Sequence, residues 1–423
     1  MKDYEAFPPM EVTSAKGSWI YRKDAPPLLD AISSWWCKSL GHGHPSIAKA
    51  VQSQMQSFEH VILANTTNEP IVELSEHLAS IFPGLDKVFY GGDGSTAVEI
   101  ALKMSHHAHL LKGEEKRCIF GALENGYHGE SALTLAVSDL GLYKEPYRAL
   151  APQGEMLGPV PYVTGVDDAK WSDASEEWQL MLPKLESLEE RLSAIIFEPV
   201  VQGANGMMIY SPDLLRRLRT WTAERGIHMI ADEIMTGFGR TGQAMACHHA
   251  GIVPDFVCCS KGLTSGWLPL SVVMCSTETY ELFYDDYESG KAFLHSNTYC
   301  GNALGVAAAL ATLKVYEEES TFEQAEKLQG RMMSRFQKIA AQTGALENVR
   351  GIGGLVAAEL RPPKSVSPDR LGYRVYRESV QRGALLRPLG NTLYWFPPLN
   401  VKDDELDHLA EVTLASIGEV FRL

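Results

Sequence analysis

The sequence predicts an α/β protein, a large doubly wound mixed sheet with a smaller α+β domain beside it. Three observations carry that expectation. Up to about residue 320, apolar strand-like runs alternate with helical periods, the order that builds a sheet covered by helices on both faces. From about Thr321 the texture changes to charged amphipathic helix, TFEQAEKLQGRMMSRFQKIAAQ. A chain of 423 residues also exceeds what one compact core usually holds. The expected division is an N-terminal segment, 1–44, packing with the small domain; a large domain, 45–320; and a small C-terminal domain, 321–423.

The elements follow in order. SWIYR and PLLDAI read as strands of the N-terminal segment. PSIAKAVQSQMQSFEHV (Pro45 to Val61) has a helical period opened by Pro, and EPIVELSEHLASIF (Glu69 to Phe82) repeats it. LDKVFYGG is a short strand running into glycines, followed by the helix STAVEIALKMSHHAHLL. RCIFGA, SAIIFEPVV, HMIADEI and DFVCCS are further buried strands. Beyond Thr321 come GIGGLVAAEL, a helix near YRVYRESVQRG, the short strand in ALLRPLGNTLYWFPP, and a closing helix.

Composition narrows the function. Hydrophobic residues at 45% are ordinary for a globular enzyme, and a formal charge of −15 argues against nucleic acid as a partner. The seven cysteines lie mostly in apolar stretches without metal-ligand spacing, and read as the reduced thiols of a cytoplasmic protein that binds no metal. No apolar run approaches a membrane span, and Met1-Lys2-Asp3 begins no signal peptide.

Two strand ends carry the chemistry. HMIADEI places Asp232 before the turn TGFGRTG, and DFVCCS ends in Lys261 before GLTSGW. Open α/β sheets build their sites at such ends. An Asp there is often only a turn former and a lysine only a solvated strand end. Here glycines on both sides keep bulk away from the backbone, as a bound cofactor requires. One amine and one buried carboxylate facing it suit pyridoxal phosphate: the lysine forms the Schiff base, and the carboxylate holds a proton on the pyridine nitrogen. The turn GGDGS puts Gly94 and Ser95 at a helix start, where free N–H groups receive phosphate. Asp93 is unwelcome beside a phosphate unless its side chain caps the helix and points away. In ENGYHGE, Tyr127 sits on a glycine-flanked loop from which an aromatic ring can stack on the cofactor. His128 beside it receives no proton-transfer role.

Together, SSWW, DGS, GYHGE, EPVVQGANGM, ADEIMTGFGRTG, SKGLTSG, HSNTYCGNALG and RPLGNTLYWFPP resemble the class III aminotransferases of pyridoxal-phosphate fold type I, over nearly the whole chain. DAISSWW and RPLGNTLYWFPP narrow the resemblance to the branch that serves biotin biosynthesis. The resemblance implies a ping-pong transaminase in which Lys261, Asp232 and Tyr127 are catalytic. Gly94, Ser95, Asn297 and Thr298 would bind the cofactor with them. Thr298 would reach the phosphate of a neighbouring subunit, which implies a homodimer with composite sites. The implied acceptor is 8-amino-7-oxononanoate and the implied amino donor S-adenosylmethionine, with lysine as the other donor used in this branch. The ω-amino-acid and diamine:pyruvate aminotransferases share every cofactor residue and are the alternative.

The acceptor has an apolar chain ending in a carboxylate, so its site needs an apolar wall and a distant cation. Trp35 and Trp36 can supply the wall. Arg387 offers a bidentate fork, and lying between Leu386 and Pro388 it would be costly to bury without an anion. Tyr127, Lys261, Arg240, Ser296 and Tyr394 complete the expected substrate contacts. Glu198, in FEPVVQG, is expected near the cofactor, paired with an Arg or Asn. Against the family pattern, Asp93 replaces a serine, Glu130 an aspartate and Asn297 a proline. The family's usual His-Pro segment would fall ahead of Met1.

Overall fold

The computed structural model describes residues 2–422, so Met1 and Leu423, the ends of the expected domain ranges, lie outside it. Its centre is a seven-stranded sheet in the order Lys87–Gly91, Ser271–Cys275, Phe256–Cys259, His228–Asp232, Leu192–Phe197, Ile119–Leu123, Glu155–Leu157. All strands run parallel except Ser271–Cys275, which is antiparallel to both neighbours. That strand is absent from the sequence reading, and it makes the sheet mixed. The strands Leu192–Phe197 and His228–Asp232 are buried at every position, because helices cover both faces. Cys258 and Cys259 point into different cores on opposite faces of the sheet.

The helices form where an apolar stripe can be buried. Gly94–Leu111 lays Val98, Ala101, Leu102 and Ser105 on the sheet, and Asp93 caps it by accepting from the Thr96 amide at 2.9 Å. The helix expected over Pro45 to Val61 stops at Met55, which is 63% exposed. Its last turn buries nothing, and short helices persist only through such packing. The helix Thr321–Thr343 packs on a three-stranded antiparallel sheet, Leu346–Ile352, Leu355–Leu360 and Thr392–Trp395, with the closing helix Asp403–Phe421 beside it.

The N-terminal meander Val12–Lys16, Trp19–Arg22, Ala25–Leu29 meets this C-terminal unit. Leu29 and Ala31 join its core, and Glu405 accepts from Ser18 Oγ at 3.0 Å and Trp19 Nε1 at 2.9 Å. Phe396 N donates to the Ala31 carbonyl at 2.7 Å, which brings the following turn, Ile32 to Trp36, over the carboxyl ends of the central strands.

Candidate active site

A cavity of about 400 Å³ opens at those strand ends, lined by Trp35, Trp36, Gly94, Ser95, Tyr127, His128, Glu198, Asp232 and Lys261 among others. Residues as far apart in sequence as Trp35 and Lys261 meet there because each follows a strand or caps a helix at the same edge.

Lys261 begins the short turn Lys261–Thr264 with φ +38°, a left-handed conformation that a side chain rarely adopts and that tight packing must hold. Its amine lies 4.8 Å from the centre of the Trp36 ring. Desolvation pushes the ammonium below its ordinary range, while Asp232 and Glu198 pull it back up.

Asp232 is 5% exposed. One oxygen accepts from the Ile234 amide at 3.2 Å, and the other meets His128 Nδ1 at 2.8 Å. With Nδ1–H donating to the carboxylate, the assignment this network favours, His128 Nε2 is a buried acceptor with no partner among the described residues. His128 thus orients the carboxylate, a role the sequence concealed across 104 positions. Glu198, also 5% exposed, accepts from the amides of Tyr127 at 3.0 Å and Gly203 at 2.9 Å. Its expected Arg or Asn partner is therefore replaced by backbone. Burial pushes the Glu198 carboxyl up to about 7.

The tryptophan wall rests on an unusual turn. Ser33, Ser34, Trp35 and Trp36 have φ of +47°, +46°, +80° and +69°, a left-handed run that costs about 1–2 kcal/mol per residue. The fully buried Asp30 compensates: its carboxylate accepts from Ser34 N at 2.9 Å and Ser34 Oγ at 2.6 Å. The turn leaves Trp36 5% exposed and Trp35 48% exposed, their rings stacked 5.7 Å apart.

These residues fit pyridoxal phosphate. The Gly94–Leu111 helix offers its first amides to a phosphate, and Asp93, turned onto Thr96, leaves that approach free. A Cβ on Gly129 would come within 2.4 Å of Ser95 Oγ, so this glycine keeps the serine hydroxyl clear. Asp232, already fixed by His128, is suited to a protonated ring nitrogen. Tyr127, whose hydroxyl donates to Glu130 at 3.1 Å, lines the same cavity.

Other expected residues lie elsewhere. Arg240, expected to orient substrate, is 3% exposed; its guanidinium donates to the carbonyls of Gly354 at 2.8 Å and Pro397 at 2.9 Å and stacks 3.6 Å over Phe396. It joins the large sheet's turn to the C-terminal unit and does not line the cavity. Tyr394, expected beside the substrate, is 1% exposed behind Trp36, whose Nε1 donates to its hydroxyl at 3.0 Å. Ser296, Asn297 and Thr298 are exposed on a loop and do not line this chain's cavity. Arg387 is exposed and lines an adjoining cavity of about 590 Å³. The two cavities share Trp35, Tyr143 and Leu389 and so adjoin each other. Tyr143, at this junction, was not anticipated; a tyrosine in GLYK carries no local signal of such a place.

The family model for aminotransferase class-III matches residues 2–416. Adenosylmethionine-8-amino-7-oxononanoate aminotransferase of Helicobacter pylori is 38% identical over 96% of this chain and 91% of its own length. The Synechococcus elongatus protein of the same name is 37% identical over 97% and 96%. The crystal structure of the Methanocaldococcus jannaschii protein of that name superposes with a TM-score of 0.91 at 29% identity, covering 99% of this chain and 95% of the other. An amine transaminase from an uncultivated Pseudomonas species, in a PLP-bound form, gives 0.91 at 27% identity, covering 98% and 96%. The chain belongs to the class III aminotransferases, a family of pyridoxal-phosphate enzymes.

Proposed function

We propose that this enzyme aminates the 7-keto carbon of 8-amino-7-oxononanoate to give 7,8-diaminononanoate in biotin biosynthesis, with S-adenosylmethionine as amino donor. The observation that carries the reading is the pair of adjoining cavities, with an amine and a carboxylate in the inner one, tryptophans between them, and in the outer one a guanidinium with no ion pair among the described residues. The names of the relatives support it.

Bound pyridoxal phosphate supplies the electron sink and carries the amino group between the two substrates. Gly94 and Ser95 would hold its phosphate, and Tyr127 would flank its ring. Asp232, oriented by His128, would hold a proton on the ring nitrogen. Lys261 Nζ, whose ammonium form desolvation disfavours, would take a proton from the donor carbon and deliver one to the acceptor carbon. Trp35 and Trp36 exclude water along the apolar chain of the acceptor. Arg387 receives its far carboxylate as a two-pronged charge-assisted bond. The enzyme acts as a cytoplasmic homodimer, in which Thr298 serves the phosphate site of a second copy. The exposure of Leu294 at 78% and Tyr299 at 68% beside Thr298 supports that contact.

The test is the spectral change of the holoenzyme on mixing with single substrates. S-adenosylmethionine should convert the cofactor to its amino form, and 8-amino-7-oxononanoate should restore it. If only short ω-amino acids or diamines produce the change, the chain is an ω-aminotransferase instead.

A further inference from the structure

Arg387 follows the short segment after Ala384 and lines the outer chamber, with no ion pair among the described residues. Its guanidinium lies 5.3 Å from the centre of the Trp35 ring and 5.9 Å from that of Tyr376. An exposed arginine loses rotamer entropy on binding an anion, so holding it in place beforehand matters. Trp35 is already committed to the left-handed turn. Tyr376 belongs to another element, the helix Leu371–Arg382, and is itself held from outside.

That outside support is the beginning of the chain. Phe7 meets Tyr376 edge-to-face, with ring centres 5.6 Å apart and planes at 84°. The guanidinium of Arg377 covers the other part of Phe7 at 5.5 Å. Asp3 then fastens the segment to the start of the same helix by a two-pronged pair with Arg370, at 2.9 and 2.8 Å. Phe7, Pro8, Met10, Tyr376 and Arg387 all line the outer chamber. Burial raises the Tyr376 phenol while the neighbouring Arg387 charge lowers it, so the two side chains interact.

We infer that Tyr376, braced by Phe7, is a positioning residue for Arg387, and that the segment Asp3–Met10 is thereby part of the specificity for acceptors bearing a distant carboxylate. This rests on the proposed role of Arg387. A cation–π face holds the guanidinium without neutralising it, so both prongs stay open to the incoming carboxylate. An acidic partner in the place of Tyr376 would compete with the substrate. The device acts on binding of one substrate and leaves proton transfer at Lys261 alone.

The experiment compares Tyr376→Ala, Tyr376→Phe and Phe7→Ala with Arg387→Ala in steady-state assays of the holoenzyme. Tyr376→Ala should raise KM for 8-amino-7-oxononanoate about three- to thirtyfold, the range of one cation–π contact, with kcat nearly constant. Tyr376→Phe keeps the ring face and should restore most of the affinity. Phe7→Ala, on a peripheral segment, should fall between them and keep the protein folded if Tyr376→Ala does not. The KM for the amino donor should not move in parallel. If Arg387→Ala weakens the acceptor while neither Tyr376→Ala nor Phe7→Ala does, this inference is wrong and the proposed function stands. If Arg387→Ala itself has no effect on the acceptor, the proposed function fails first.

Discussion

At the cofactor end of the adjoining cavities, Asp232, His128 and Glu198 are 5% exposed or less and are tied to one another or to backbone amides. In the outer cavity Arg387 is exposed, lies beside the Trp35 and Tyr376 rings and has no ion pair among the described residues. The difference is the one the proposed roles of the two cavities require. A proton held on a ring nitrogen needs a fixed charge in a dry site, where electrostatic interactions are strong and no reorganisation is required. A carboxylate that enters and leaves every turnover needs a cation whose partner is the substrate, since a permanent internal pair would have to be broken each time. Substitutions at the cofactor end should therefore alter rate, and substitutions at the far end should alter selectivity.

The largest effect is expected from Lys261→Ala. Removing the amine should abolish turnover by at least about two to four orders of magnitude, the usual value of a positioned acid–base group. Borohydride treatment, followed by mass measurement of peptides, should attach the cofactor to Lys261 in the wild type and nowhere in the variant. Retained turnover in Lys261→Ala without added amine would remove this residue from the mechanism.

Asp232→Asn comes next. The amide keeps the size of the side chain but offers no charge to a ring nitrogen, and it disturbs the contact with His128 Nδ1. A fall in kcat of about two to three orders of magnitude is expected, with melting temperature nearly preserved. Activity within a few-fold of wild type would show that the carboxylate does not act on the ring.

Glu198 sharpens the comparison through pH. Its ordinary value is 4.5 and burial raises it to about 7. Between those values the folded protein retains a proton that the unfolded chain has released. Its contribution to stability is therefore full below 4.5 and lost as pH rises through 7. The loss is on the order of 3 kcal/mol. Denaturant titrations at pH 5 and pH 8 should show a smaller decline in Glu198→Gln than in wild type. An unchanged decline would place the proton elsewhere.

Trp35→Ala should have the smallest effect. Half exposed, Trp35 contributes wall more than core, so binding of the acceptor should weaken by about 1 kcal/mol. The loss should be insensitive to salt, unlike that of an ionic contact. A fall in stability comparable with core truncation would assign Trp35 to packing.

The meeting of the expected cofactor residues in one cavity was legible in the sequence because its signals are local. Lys261 and Asp232 each end an apolar strand beside glycines, Gly94 and Ser95 start a helix after one, and Tyr127 sits between glycines; all line one cavity. Asp93 resolved as the capping alternative already weighed. What sequence could not give was side-chain direction and long-range pairing. Arg240 follows the same glycine turn as Asp232, yet carbonyls of Gly354 and Pro397, far along the chain, satisfy it away from the cavity. Tyr394 stands in a strand buried at all positions, so alternation gave no facing. His128 became meaningful only through Asp232. The left-handed turn at Ser33–Trp36 depends on the Asp30 carboxylate, and SSWW contains no glycine to announce it. The antiparallel strand Ser271–Cys275 is apolar like its parallel neighbours, and composition does not encode direction.

The division of labour between the two ends is tested most directly by single-turnover kinetics of each half-reaction in Arg387→Ala. The acceptor half-reaction should lose affinity for 8-amino-7-oxononanoate by about tenfold or more, the usual size of a lost charge-assisted hydrogen bond of about 1.5–3 kcal/mol. The donor half-reaction with S-adenosylmethionine should change much less, and the limiting rate of proton transfer should be retained. Equal losses in both half-reactions, or a lost limiting rate with intact acceptor affinity, would contradict the account.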